Sequence, residues 1–239
     1  MPILANVMAD LKSRASEKTR ATYIRHGAPP HKTLGVSTAD MKLVAKTIKK
    51  QQILACELYA TGIFEAMYLA GMVADGAQLT PKQLQFWADT AVNMPMISEY
   101  TVQWVALESP NPAATALEWI KSKKEHVAAA GWRTYTGLLA TRPDETLNLS
   151  EIEALLKSIP ARIEAAPDRV RYTMNGFVIA VGTYVAPLLK QAQAIAKQLG
   201  TVHVNVGDTA CEVPVASAFI AKAHAAGGRA TAKRKTVRC

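Results

Sequence analysis

Cysteine is scarce. Cys56, Cys211 and Cys239 are odd in number, far apart and without Cys-x-x-Cys spacing, which excludes a disulfide framework and a cysteine-based zinc site and predicts reduced thiols, with Cys56 packed inside. Nor is a membrane-spanning segment expected, which takes roughly 18–20 consecutive, predominantly apolar residues. Residues 1–10 lack a basic region followed by an apolar one, so the expectation is a cytoplasmic protein without membrane contact. The chain has no Gly-x-x-x-x-Gly-Lys-Ser/Thr, Gly-x-Gly-x-x-Gly, His-Glu-x-x-His or Gly-x-Ser-x-Gly. Neither cofactor nor metal is therefore expected, and His26 and His31, in a Pro-rich loop, read as surface histidines. Strand signals are almost absent. Only residues 202–206 alternate apolar with polar, and a single strand makes no sheet, so they pair with an unrecognised segment or form an extended linker.

What is present is a succession of short amphipathic segments. Ser37 with Asp40, Thr80-Pro81, Asn111-Pro112, Ser150 with Glu153, Asp168 and Pro187 read as helix starts, because short polar side chains accept orphan N–H groups and proline at the first helical position loses nothing. Gly27, Gly62, Gly76 and Gly200 read as stops. Stripes such as Leu4, Val7, Met8, Leu11 and Ile152, Leu155, Leu156, Ile159 recur at helical spacing, giving about a dozen helices. Two segments repeat a theme: Pro81 to Trp87 and Pro112 to Trp119 each open with proline and reach tryptophan two turns later, followed by a second tryptophan helix with Trp104 or Trp132. The expected fold is all-α, a divergent HEAT-like stack of helix pairs (an α-α solenoid superhelix with a concave face); its rival is a bundle of fewer, longer helices. Residues 1–226 form the expected single domain and residues 227–239 a basic C-terminal arm.

Charge is concentrated at the ends. Residues 1–50 carry ten Lys/Arg against three acids, residues 222–239 six against none, and the middle is net acidic. Such a balance attracts polyanions, nucleic acid foremost. The dense run after Gly227-Gly228 reads as a flexible arm whose Lys233, Arg234, Lys235 and Arg238 contact phosphates. Arg133, Arg169 and Arg171 either do the same or cover helix faces with their stems. Glu99 and Gln103 lie one turn apart on a predicted helix over 96–108, and Gly131, Gly137, Gly176 and Gly182 mark close approach by a neighbouring helix or a ligand.

Five groups of residues together resemble the DNA alkylation repair family, the HEAT-like glycosylases that remove alkylated purines, and their relatives. They are Leu34 to Lys42; Leu58 to Gly62 with Glu65 to Gly71; Ala129 to Trp132; Met174 to Phe177 with Val181 to Leu188; and Lys233 to Cys239. The resemblance spans nearly the whole chain. It implies a superhelix that holds duplex DNA, damaged or distorted, as a monomer without cofactor. In the family's glycosylases an aspartate flanked by two tryptophans works on the lesion; the acid matches Glu99 and one tryptophan matches Phe177, while Met94, Pro95 and Met96 stand where the other would be. A carboxylate beside the sugar stabilises the oxocarbenium-like state of base loss, and aromatic faces hold the cationic base. Glu99 is thus the catalytic candidate, with Trp132 and Phe177 as aromatic contacts to nucleic acid. The alternative is a non-catalytic relative that binds distorted or branched nucleic acid, or a protein partner.

Overall fold

The capping chemistry is realised where it was most explicit. In the computed structural model, which describes residues 3–49 and 51–238 (residue 229 by its backbone alone), Ser37 accepts from the Asp40 N–H, and Thr80 and Gln83 cap each other's backbone in a reciprocal box. Met1 and Cys239, the ends of the expected domain and arm, lie outside the described residues. Among the described residues there are fourteen α-helices and no strand.

Two compact units divide the chain, the first comprising residues 3–111 with 206–210 and 238, the second residues 112–205 with 211–237. The first contains α1 (Leu4–Ser13), α2 (Glu17–Arg25), α3 (Thr38–Thr47), α4 (Gln52–Ala60), α5 (Phe64–Val73), α6 (Pro81–Thr90) and α7 (Val102–Glu108). Its centre is α5, buried at every position from Phe64 to Gly71, as expected of a helix apolar all round. Helices α1, α3, α4 and α7 pack around it. Trp87 of α6 stacks on Tyr59 of α4, with centroids 3.9 Å apart and planes within 4°, and Trp104 of α7 meets Tyr68 edge-on.

The second unit contains α8 (Pro112–Ile120), α9 (Glu125–Thr141), α10 (Leu149–Arg162), α11 (Asp168–Tyr184), α12 (Leu189–Leu199), α13 (Ala216–Ala225) and α14 (Gly228–Thr231). The 17-residue helices α9 and α11 are its buried centre. Gly131 lets α8 and α9 touch: a Cβ there would stand 2.6 Å from the Ile120 nitrogen and 2.8 Å from the Ala116 carbonyl. Gly182 does the same for Ile220 of α13. Close helix contact is thus the reason for both glycines. Among the described residues no single helix is long and apolar enough to cross a membrane; only α11 and the following segment Ala186–Leu199, bent by 110°, reach that length and composition together.

Several boundaries differ from expectation. Asn148, not Ser150, caps α10, because its Oδ1 takes the Glu151 N–H while Ser150 bonds to that same oxygen. Asp168 is the first residue of α11 rather than its cap; Glu125 reaches across from α9 to accept the Arg169 N–H. Gly76 does not stop α5, which ends at Val73; it begins a 3-10 turn pressed so tightly on α7 that a Cβ would lie 2.1 Å from the Val105 carbonyl. Residues 202–206 are an extended linker: Val202 and Val204 face the second unit's core, and no strand pairs with them.

These contacts separate two substitutions in otherwise similar helices. Gly131→Ala is expected to destabilise by about 1–3 kcal/mol through overpacking, or about 2–4 °C in Tm per kcal/mol. Gly176→Ala, whose Cβ would come no nearer than 4.0 Å to Arg133 Nη1, is expected to be neutral or to stabilise by up to about 1 kcal/mol. Thermal unfolding of both variants checks the pair.

Candidate nucleic-acid interface

Glu99 sits in an irregular turn. After α6 the chain takes a left-handed step at Asn93 (φ 56°), a conformation asparagine tolerates, and then makes one π-helical turn over Ile97–Thr101 before α7. Such single π turns insert an extra residue and re-aim the side chains that follow. Here α5 dictates the packing: a Cβ on Gly71 would lie 2.5 Å from Thr101 Cγ2. Ile97, Ser98, Glu99 and Thr101 are buried and Tyr100 is 38% exposed. Glu99 is only 1% exposed, so its carboxylate meets a nucleotide only if this turn opens. Gln103 is buried beside it in sequence, at 4%.

The aromatic candidates are corrected by the second unit. Trp132 and Phe177 are both fully buried, edge-to-face with centroids 5.2 Å apart, and Tyr135 meets Phe177 at 5.7 Å. Tyr135 donates to the Glu151 carboxylate, and burial, then that carboxylate, push its hydroxyl far above the usual tyrosine range. The pair is core packing and offers no ring face to a base.

Three of the cations expected on phosphates, Arg171, Lys233 and Arg238, already hold other parts of the fold through their side chains. A helix leaves its last carbonyls without partners, and cations near a C-terminus satisfy them. Lys233 donates to the Leu139 carbonyl at the end of α9, 2.8 Å away, and pairs with Asp144. Arg238 donates to the Ala74 carbonyl after α5 at 2.7 Å and to Glu108 at 2.5 Å, whose Oε2 also accepts the Gly76 N–H. Arg171 holds the carbonyls of Ala166 and His203 and lies 3.5 Å from Asp168. Arg234 bonds through its backbone N–H to Ala140, leaving its guanidinium exposed above Tyr184 at 5.7 Å. Lys235 is exposed, and Arg133 is half-buried with its guanidinium beside Gly176. The C-terminal run is therefore not a flexible arm: Lys233, Arg234 and Arg238 are pinned to helix ends.

One organising residue escaped the pattern reading. Glu65, fully buried in the apolar run of α5, accepts the N–H groups of Leu34 (2.9 Å), Gly35 (2.6 Å) and Val36 (3.3 Å). Gly35 has φ +97° and leaves no room for a Cβ, which would fall 2.3 Å from the Ser16 carbonyl. Arg20 braces the same loop through the carbonyls of Pro30 and Thr33, and the Tyr23 hydroxyl donates to Val36. The signal available in the sequence was a lone acid in an otherwise apolar helix. Burial, reinforced by Glu57, raises the thiol pKa of half-buried Cys56, and among the described residues no His, Cys, Asp or Glu group is arranged to hold a metal ion.

Comparison with known proteins places this architecture. The family model for the DNA alkylation repair enzyme matches residues 7–201. The chain belongs to the DNA alkylation repair enzyme family. Its relatives include uncharacterized proteins of Listeria innocua and Listeria monocytogenes, each 30% identical over 220 residues that cover 90% of this chain and 94% of theirs. A solved structure from a family related to the HEAT-like repeat DNA glycosylases, with affinity for branched DNA structures, is 36% identical with a TM-score of 0.90 and 100% of both chains covered. The fold is accordingly the all-α, HEAT-like one of this family.

Two measurements check the division of the polar residues. Glu65→Gln, which sets amide hydrogens against the N–H donors of residues 34–36, is expected to cost about 1–3 kcal/mol in chemical denaturation. Arg238→Ala, which removes the guanidinium from the Ala74 carbonyl and leaves Glu108 with the Gly76 N–H, is expected to cost a similar ~1–3 kcal/mol, whereas Lys235→Ala leaves stability within about 0.5 kcal/mol.

Proposed function

We propose that this family member binds branched or distorted DNA through its surface cations and does not cleave the glycosidic bond. The observation that carries the proposal is the closure of the catalytic candidate: Glu99 is 1% exposed, and neither Trp132 nor Phe177 has an accessible ring. A glycosylase needs its carboxylate within contact of the sugar and an aromatic face on the base, and neither is open here. The relative with affinity for branched DNA, similar over its whole length, supports the binding half of the reading. So does the basic excess at both ends of the sequence. Catalysis of alkylpurine release through Glu99 is the second reading, favoured by membership of the DNA alkylation repair enzyme family and by the placement of that carboxylate in a π turn, a feature frequent at functional sites.

Titration of a fluorescent four-way junction and of a linear duplex of equal length tests the proposal. The junction is expected to bind more tightly by about tenfold, or ~1.4 kcal/mol, with affinity falling steeply as salt rises. Equal affinities would remove the preference for branches, and no binding at low salt would favour a protein partner instead.

A further inference from the structure

The first unit holds a cationic loop that the DNA reading leaves unassigned. Residues 18–39 contain Lys18, Arg20, Arg25, Lys32, His26 and His31 and no acid. Arg25, His26, His31 and Lys32 are exposed, while the backbone beneath them is fixed from both sides. Buried Glu65 takes three N–H groups of residues 34–36, and Arg20 takes the carbonyls of residues 30 and 33. The acids of the N-terminal region are drawn elsewhere: Asp10 and Asp40 lie on Arg14, at 2.7 and 3.6 Å, and Glu17 lies on Arg20 at 3.3 Å. A loop whose backbone is braced by a buried carboxylate and an arginine is pre-organised, so a polyanion that binds its cations has only their side chains to order and not the backbone that carries them. Its position also matters. A Cβ on Gly27 would rest 3.5 Å from Pro95, which leads into the turn bearing Glu99 and exposed Tyr100.

We infer that the loop over residues 25–32 is a phosphate-contacting element, with Arg25 and Lys32 its principal cations, placed beside the Glu99 turn to grip the nucleic-acid backbone there. This rests on the DNA-binding reading above. The test is the dependence of four-way-junction affinity on KCl concentration for wild type, the double variant Arg25→Ala/Lys32→Ala, the charge-keeping pair Arg25→Lys/Lys32→Arg, and a control pair on exposed α12 positions, Lys190→Ala/Lys197→Ala. Each lost phosphate contact lowers the magnitude of the log–log slope by about 0.9. The alanine pair is therefore expected to lose about 1–2 from the slope and to bind at least about tenfold more weakly at low salt, while the charge-keeping and control pairs retain the wild-type slope. An unchanged slope in the alanine pair, with wild type still binding, would overturn the loop assignment alone. Absence of wild-type binding at low salt would overturn the DNA reading and the loop with it.

Discussion

Helix separation at the two buried centres is the constraint from which the rest follows. Helix α5 is surrounded on all sides and α9 is pressed against α8, and each can be approached closely only because a glycine stands at the contact: Gly71 under Thr101, Gly131 under Ile120 and Trp119. Had either carried a side chain, the neighbouring backbone would have to retreat, since packed interiors have no spare volume. The approach at Gly71 seats the π turn on α5 and so puts Glu99 inside rather than at the surface. In the second unit the contact at Gly131 draws α9 inward, and Trp132, the next residue, goes with it into the core against Phe177. Burial of Glu99 in the first unit and of Trp132 in the second is thus, in each, a consequence of packing that also stabilises that unit.

Polar groups divide along the same line. Buried Glu65 and several half-buried charged groups serve the backbone: Glu65 fixes a loop, Glu125 caps α11, and Arg171, Lys233 and Arg238 donate to carbonyls that helices and loops leave over. Such bonds are worth more than exposed ion pairs, because the alternative is a desolvated carbonyl or amide with no partner. The cations left at the surface, among them Arg25, Lys32, Arg234 and Lys235, are the ones available to a polyanion, and they are fewer than the sequence total suggests.

Much of the fold was legible because its signals are local. Ser37, Thr80-Pro81 and Pro112 announce helices by chemistry within one turn. The four tryptophans mark helix pairs whose cores they fill. Where two local signals compete, the boundary slips, as at Asn148 and Ser150. The candidate site was much less legible, for a physical reason: whether a side chain faces a ligand or a neighbour depends on residues far away in sequence. Glu99, one turn from Gln103 on a helix expected over 96–108, reads as a catalytic candidate until Gly71 and the π turn are known. Arg238 reads as a tail cation until the carbonyl of Ala74 is found beside it. Residues 202–206 show the converse, a true alternation with no partner strand to convert it into a sheet.

Closure of Glu99 is tested most directly by single-turnover release of free base from duplex DNA carrying N-methylated purines, run with wild type and with Glu99→Gln under conditions where the DNA is bound. With Glu99 closed, neither protein is expected to release base faster than the DNA loses it alone. Release by wild type that disappears in Glu99→Gln would contradict that closure, and would mean that the π turn opens to present its carboxylate to the sugar.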